Sequence, residues 1–220
     1  MKRITIAFCT AVFLFACNSE EKKDEPKTGE TKMENSTSNS EAKADEWVPV
    51  DSATAMKSMM EAGTPGPMHA MLAKSDGGWT GETTMWMKPD GPPMKGTGTS
   101  SNKMIFGGRY QQSTFKGDFM GMPFEGTGTT GYDNAKKVFF TTWMDNMSTA
   151  TMYMEGKWDE ATKAIIFKGK MICPANGKEC EMKEVFKMVD DNTQVMEMYG
   201  PDMQTGKEYK NMEIKFTRKK

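Results

Sequence analysis

From Trp79 to Arg218 apolar and polar side chains alternate in short runs punctuated by Gly, Pro, Asn and Asp. Ile165, Phe167 and Met171 alternate with Lys168 and Lys170, and Met212, Ile214 and Phe216 with Glu213, Lys215 and Thr217. A period of two turns alternate residues to opposite faces, the mark of a strand with one buried side. The pattern predicts strands at 79–88, 97–106, 108–116, 123–131, 137–145, 150–158, 163–172, 181–189, 193–199 and 207–218. No helical stretch separates them, so about ten short strands in sequence predict an antiparallel up-and-down meander closing into a barrel. A half-repeat supports this: residues 93–100 (Pro-Met-Lys-Gly-Thr-Gly-Thr-Ser) are echoed by 123–130 (Pro-Phe-Glu-Gly-Thr-Gly-Thr-Thr), an offset of two strands with their turns.

Ahead of the strands the period changes. Asp51 or Ser52 as N-cap, apolar Ala55, Met56, Met59 and Met60, and a stop at Gly63 predict one helix, and Pro67 to Lys74 a short second one. The fold class is therefore mainly β, with one or two short N-terminal helices, in a single domain over 47–220.

The first 46 residues read differently. Lys2 and Arg3 precede an apolar run from Ile4 to Phe15, then Ala16 and Cys17. A dozen residues of helix reach about 18 Å, short of the roughly 30 Å hydrocarbon core, which favours an export signal at 1–16 over a spanning anchor. Leu14-Phe15-Ala16-Cys17 resembles the lipobox of bacterial lipoproteins, which implies lipid attached at Cys17 and a membrane partner through that lipid. Residues 17–46 are rich in Glu, Lys, Ser, Thr and Asn, hold no aromatic or branched aliphatic residue, and read as a tether with a span of about 30 Å. No aspartate follows Cys17, so the expected location is the cell envelope, lipid-anchored at the outer membrane, facing the periplasm or the surface.

A formal net charge of -1, with no basic stripe interleaved with aromatics, argues against a nucleic-acid partner. With Cys9 in the signal and Cys17 lipidated, Cys173 and Cys180 remain. An even pair bracketing Pro174 to Lys178 in an exported protein predicts a disulfide across a hairpin loop, worth about 2–3 kcal/mol.

Two resemblances add to this reading. Gly77-Gly78-Trp79, after a short helix and opening the first strand, resembles the G-x-W signature of lipocalins and other calycins. In that superfamily the Trp closes one barrel end beneath an Arg of the last strand, which implies that Trp79 and Arg218 form the closure and that the barrel is calycin-like. The second covers residues 65 to 218. Pro67-Met68-His69 to Leu72, Gly78-Trp79-Thr80-Gly81, Gly107-Gly108-Arg109-Tyr110, Pro123-Phe124-Glu125-Gly126, Gly131-Tyr132-Asp133-Asn134, Trp143-Met144-Asp145-Asn146-Met147-Ser148 and Glu155-Gly156 resemble the bacterial domain-of-unknown-function family numbered 1579, in order and spacing. That family implies a fold and no activity.

Candidate chemistry is sparse. His69 is the only histidine, a packing residue or a haem or metal ligand. No Ser/His/Asp set, H-E-x-x-H or G-x-S-x-G supports an enzyme. Gly126 to Gly131 matches G-x-G-x-x-G by spacing, but a strand follows where a dinucleotide site needs a helix. Tyr132, Asp133, Trp143 and Asp145 at strand ends are candidates for a ligand mouth, or for turn shaping. Among 24 methionines, Met85 and Met87, Met120 and Met122, Met152 and Met154, and Met196 and Met198 form M-x-M pairs that fill a core or present thioethers to Cu(I). The expectation is a tethered barrel that binds a small apolar or amphipathic ligand, with soft-metal handling or a filled structural module as alternatives. No cofactor is required by the sequence.

Overall fold

The computed structural model describes residues 47–220. The expected export signal, Cys17 and the tether lie outside the described residues. Helix α1 (Ser52–Ala62) begins where Asp51 Oδ1 accepts from the N–H groups of Ala53 and Thr54, both at 3.0 Å, and ends at Gly63. Helix α2 (Pro67–Ala73) opens on proline, whose missing N–H costs nothing in a first turn. Ten strands follow: β1 (Gly77–Met85), β2 (Met94–Ile105), β3 (Tyr110–Phe119), β4 (Met122–Asp133), β5 (Val138–Asp145), β6 (Met152–Asp159), β7 (Ala164–Ile172), β8 (Glu179–Asp190), β9 (Thr193–Pro201) and β10 (Glu208–Arg218).

Each strand pairs antiparallel with its neighbours in sequence, and β1 joins β10 from Trp79↔Arg218 to Met85↔Met212, closing a ten-stranded barrel with no free edge. The turns carry the backbone this needs. Met120 (φ 55°) and Gly121 (φ 81°) both take the left-handed conformation in the two-residue loop joining β3 to β4, which matches the right-handed twist of the strands.

Strand bounds depart from those expected by up to three residues. The first strand ends at Met85 rather than 88, because Pro89, Pro92 and Pro93 offer no N–H to a ladder between β1 and β2. Helix α1 forms as expected, but it buries no residue; Met56, Met59 and Met60 are exposed, so its apolar stripe is not packed on the barrel.

The half-repeat has a packing reason. A Cβ on Gly98 would stand 2.2 Å from Cζ of Phe115, and one on Gly126 2.3 Å from Cζ2 of Trp143. The glycines of β2 and β4 thus leave room inside the barrel for a large ring from the next strand.

At the end where β1 starts, α2 plugs the barrel. Its Leu72 joins Phe139, Met154, Ile165, Phe167 and Met198 in one buried cluster. Buried Gln111 of β3 ties the helix down: Nε2 donates to the Leu72 carbonyl at 2.8 Å and Asp76 Oδ1 at 2.7 Å, and Oε1 accepts from Ser75 Oγ at 2.9 Å. Trp79 is fully buried beside the plug, its indole N–H on the Ser75 carbonyl at 2.9 Å. The Arg218 guanidinium lies 4.2 Å from the Trp79 ring centroid and donates to the carbonyls of Asp191 (2.7 Å), Asp76 (2.5 Å) and Lys74 (2.7 Å). Gly77, at φ 121°, admits that approach, since a Cβ there would lie 2.9 Å from Arg218 Nη1.

Candidate functional site

The packed cluster fills only the plugged end. Toward the opposite end the barrel holds a cavity of about 470 Å³, with Leu72 and Phe167 on its floor and Phe119, Phe124, Asp145 and Met147 near its mouth. That volume falls within the range of small-molecule sites, and the walls are chiefly apolar.

Register places one contiguous row across the wall. Met85 of β1 pairs with Met212 of β10, Met212 with Met198 of β9, and Met198 with Glu184 of β8. Strand neighbours on one face sit about 5 Å apart at Cβ, so three thioethers run up to one carboxyl at mid-height. Phe167 follows on β7.

Glu184 lies within the barrel wall, and the surface it retains is turned to the cavity. No donor or basic side chain among the described residues reaches its carboxyl, and burial alone raises its pKa from 4.5 to about 7. Sequence reasoning missed this residue, yet a signal was there. In β8 the even positions Cys180, Met182, Phe186 and Met188 are apolar while Glu181, Lys183 and Lys187 alternate with them, so Glu184 is a carboxylate standing in the apolar phase.

The structure divides the residues singled out from the sequence. Trp143 and Asp145 do line the mouth: the indole N–H donates to Asp145 Oδ2 at 2.9 Å, and Oδ1 accepts from the Met147 N–H at 2.9 Å. Asp145 thereby fixes both the Trp143 ring and the loop beyond β5.

His69, Tyr132 and Asp133 belong to the plugged end and do not face the cavity, which corrects their expected place in a ligand mouth. His69 Nδ1 accepts from the Gly66 N–H at 3.0 Å, and its ring meets Tyr132 edge-on at 6.0 Å. Burial, with the Arg109 charge adding to it, lowers the imidazole pKa against the raising effect of the Tyr132 carbonyl. His69 caps the first turn of α2 through Nδ1 and packs against Tyr132 at the plugged end. Asp133 Oδ1 accepts from the N–H groups of Ala135 (2.8 Å) and Lys136 (2.9 Å) and shapes the turn between β4 and β5.

The M-x-M pairs separate likewise. Met85 faces inward, but Met87 lies past the end of β1 and is 66% exposed, so the two share no face. Met120 and Met122 sit exposed on the hairpin between β3 and β4. Met154 is fully buried in the core cluster, whereas Met152, Met196 and Met198 line the cavity.

The expected disulfide is not formed; Cys173 and Cys180 are free thiols. Cys180 pairs across the ladder with Met171, while the Cys173 N–H bonds the Lys178 carbonyl at 2.8 Å, so the cysteines are diagonal neighbours two positions out of register. Such neighbours are about 7–8 Å apart at Cα, beyond comfortable bridging distance. The Cys173 thiol turns instead to Met203, Sγ to Sδ 3.7 Å.

Among the described residues no three His, Cys, Asp or Glu side chains converge on a point that would hold a metal ion. No curated protein matches the chain. A family model described as a protein of unknown function, DUF1579, matches residues 64–218, a span that takes in α2, all ten strands and every residue of the cavity wall. No enzymatic family is indicated, and the chain belongs to the DUF1579 family.

Proposed function

We propose that this protein is a membrane-tethered binding protein that takes a small apolar or amphipathic ligand into its barrel. The observation that carries the reading is the cavity of about 470 Å³, floored by Leu72 and Phe167, walled by aromatic and thioether side chains and approached past Trp143 and Asp145. Burial of apolar ligand surface there supplies affinity at about 25 cal/mol per Å², and polar groups at the mouth and on the wall set orientation. The Cys17 lipid and the 17–46 tether would hold the barrel at the envelope, at the outer membrane on its periplasmic or surface side.

A neutral naphthylamine dye that brightens in apolar surroundings tests the binding. Saturable uptake at one site is expected, and Ser113→Phe, which drives a ring into the cavity from β3, is expected to weaken it at least about tenfold. Absence of saturable uptake, or indifference to that substitution, would leave a filled structural module as the better account. The anchor has its own test: the intact mass of the mature protein should begin at Cys17 and carry diacylglyceryl, and Cys17→Ala should lose both that mass and membrane fractionation.

A second reading rests on the row Met85, Met212 and Met198, which brings three thioethers to one wall and suits a soft cation such as Cu(I).

A further inference from the structure

The geometry points to a ligand whose polar end is a cation: we infer that the barrel takes an amphiphile bearing an amine or similar cationic head, with the head on Glu184 and the chain among the aromatic and methionine side chains. The inference rests on the cavity being the binding site and adds the chemistry of what it binds.

Charge carries the argument furthest. Among the described residues the side chains around the cavity include three carboxylates, Asp118, Asp145 and Glu184, and no lysine, arginine or histidine. The two at the mouth are engaged by their own loops, Asp118 by the Gly121 N–H at 2.7 Å and Asp145 by Trp143 and Met147. Glu184 has no such partner among the described residues. A partly buried carboxylate on an apolar cavity wall, with no donor among the described residues, is ionised at a cost, and a cationic or hydrogen-bond-donating ligand lowers that cost directly. An anionic head such as a fatty acid's would find carboxyl groups here and no basic side chain to pair with. The neighbouring thioethers of Met198 and Met212 are polarizable and add no opposing positive charge.

Among the described residues no basic or other titrating side chain neighbours Glu184 on the adjacent strands. From β7 its neighbours are Ile165 and Phe167, and from β9 Met196 and Met198. Lys183 and Lys187 of its own strand point outward and pair with Glu208 and Glu197. The carboxyl titrates near 7 in the empty barrel, so cation binding should strengthen as pH rises through that value.

The test is displacement of the naphthylamine dye from the full chain by three probes of equal length: dodecylamine, dodecanol and dodecanoate. At about pH 8 the amine is expected to displace the dye at least about tenfold more effectively than the alcohol, with the carboxylate weakest. From about pH 8 to about pH 6 the amine's advantage should shrink about tenfold, because the amine stays charged while Glu184 takes up a proton. In Glu184→Gln the amine-to-alcohol ratio should fall to about one, with the circular dichroism spectrum as a check on folding. Equal displacement by amine and alcohol, or an advantage that survives Glu184→Gln, would overturn the inference while leaving a general apolar site standing. Failure of the dye itself to bind would overturn both. Uptake of Cu(I) in preference to the amine, lost in Met198→Leu and Met212→Leu, would replace the inference with the soft-metal reading.

Discussion

Trp79→Ala is expected to lower stability by about 3–5 kcal/mol, read as an earlier midpoint in urea at unchanged slope. The ring is fully buried, its N–H satisfies the Ser75 carbonyl, and its face carries the Arg218 guanidinium. Truncation opens a void between the plug and the wall that the barrel cannot collapse to fill, since α2 is fixed by the Gln111 hydrogen bonds and β1 by ladders on both sides. Trp79→Phe separates packing from polarity. It retains much of the apolar contact but strands part of the Ser75 carbonyl's bonding and weakens the cation–π contact, so a smaller loss of about 1–3 kcal/mol is expected. Arg218→Ala should lie between, because three carbonyls lose their donor at once. If Trp79→Ala cost no more than a surface substitution, Trp79 would not be closing the barrel.

The barrel was legible because its chemistry repeats every two residues. In β10 Met212, Ile214 and Phe216 face inward against outward Glu213, Lys215 and Thr217, and one buried face leaves little freedom of register. Where local rules and tertiary packing diverge, reading fails. Helix α1 has its aspartate N-cap and a helical spacing of apolar residues, yet nothing in those features says whether a stripe finds a partner, and here it finds none in the barrel. The loop from Cys173 to Cys180 looked like a bridged hairpin, but bridging depends on a register offset of two residues that no spacing rule reveals. His69 drew attention by being alone, and it is a helix cap; Asp133 stood at a strand end, and it is a turn. Trp143 and Asp145 were singled out, like Asp133, by their place at a strand end, and they lie on one face two residues apart, where the indole N–H reaches the carboxylate and both line the cavity. Glu184 was hidden by its surroundings: β8 is crowded with lysine and glutamate, and only the parity of one position distinguishes a cavity-facing carboxylate from a solvated one.

Glu184→Gln should stabilise the empty protein in a pH-dependent way, and the sign follows from linkage. Burial raises the Glu184 pKa from 4.5 to about 7 in the folded barrel. Below the unfolded value both states are protonated and the residue imposes no charge penalty. Between the two values the unfolded chain releases the proton while the folded one holds it, so stability falls as pH rises; above about 7 both are ionised and the loss levels off. The full difference corresponds to about 3 kcal/mol at most, less whatever water in the cavity recovers. Glutamine is neutral throughout, so the stability difference between variant and parent should be small at about pH 4 and grow to as much as about 3 kcal/mol in favour of glutamine at about pH 8. Comparing the two proteins at each pH cancels carboxylates with the opposite slope, such as Asp133 and Asp159, whose backbone hydrogen bonds hold their pKa values low. A difference that does not change with pH would show that the carboxyl is already solvated or paired. A side chain that weakens the empty barrel near neutrality is understandable if the occupied barrel repays it. Saturating dodecylamine should therefore raise the midpoint of the parent at about pH 8 by more than it raises that of Glu184→Gln, through preferential binding to the folded state.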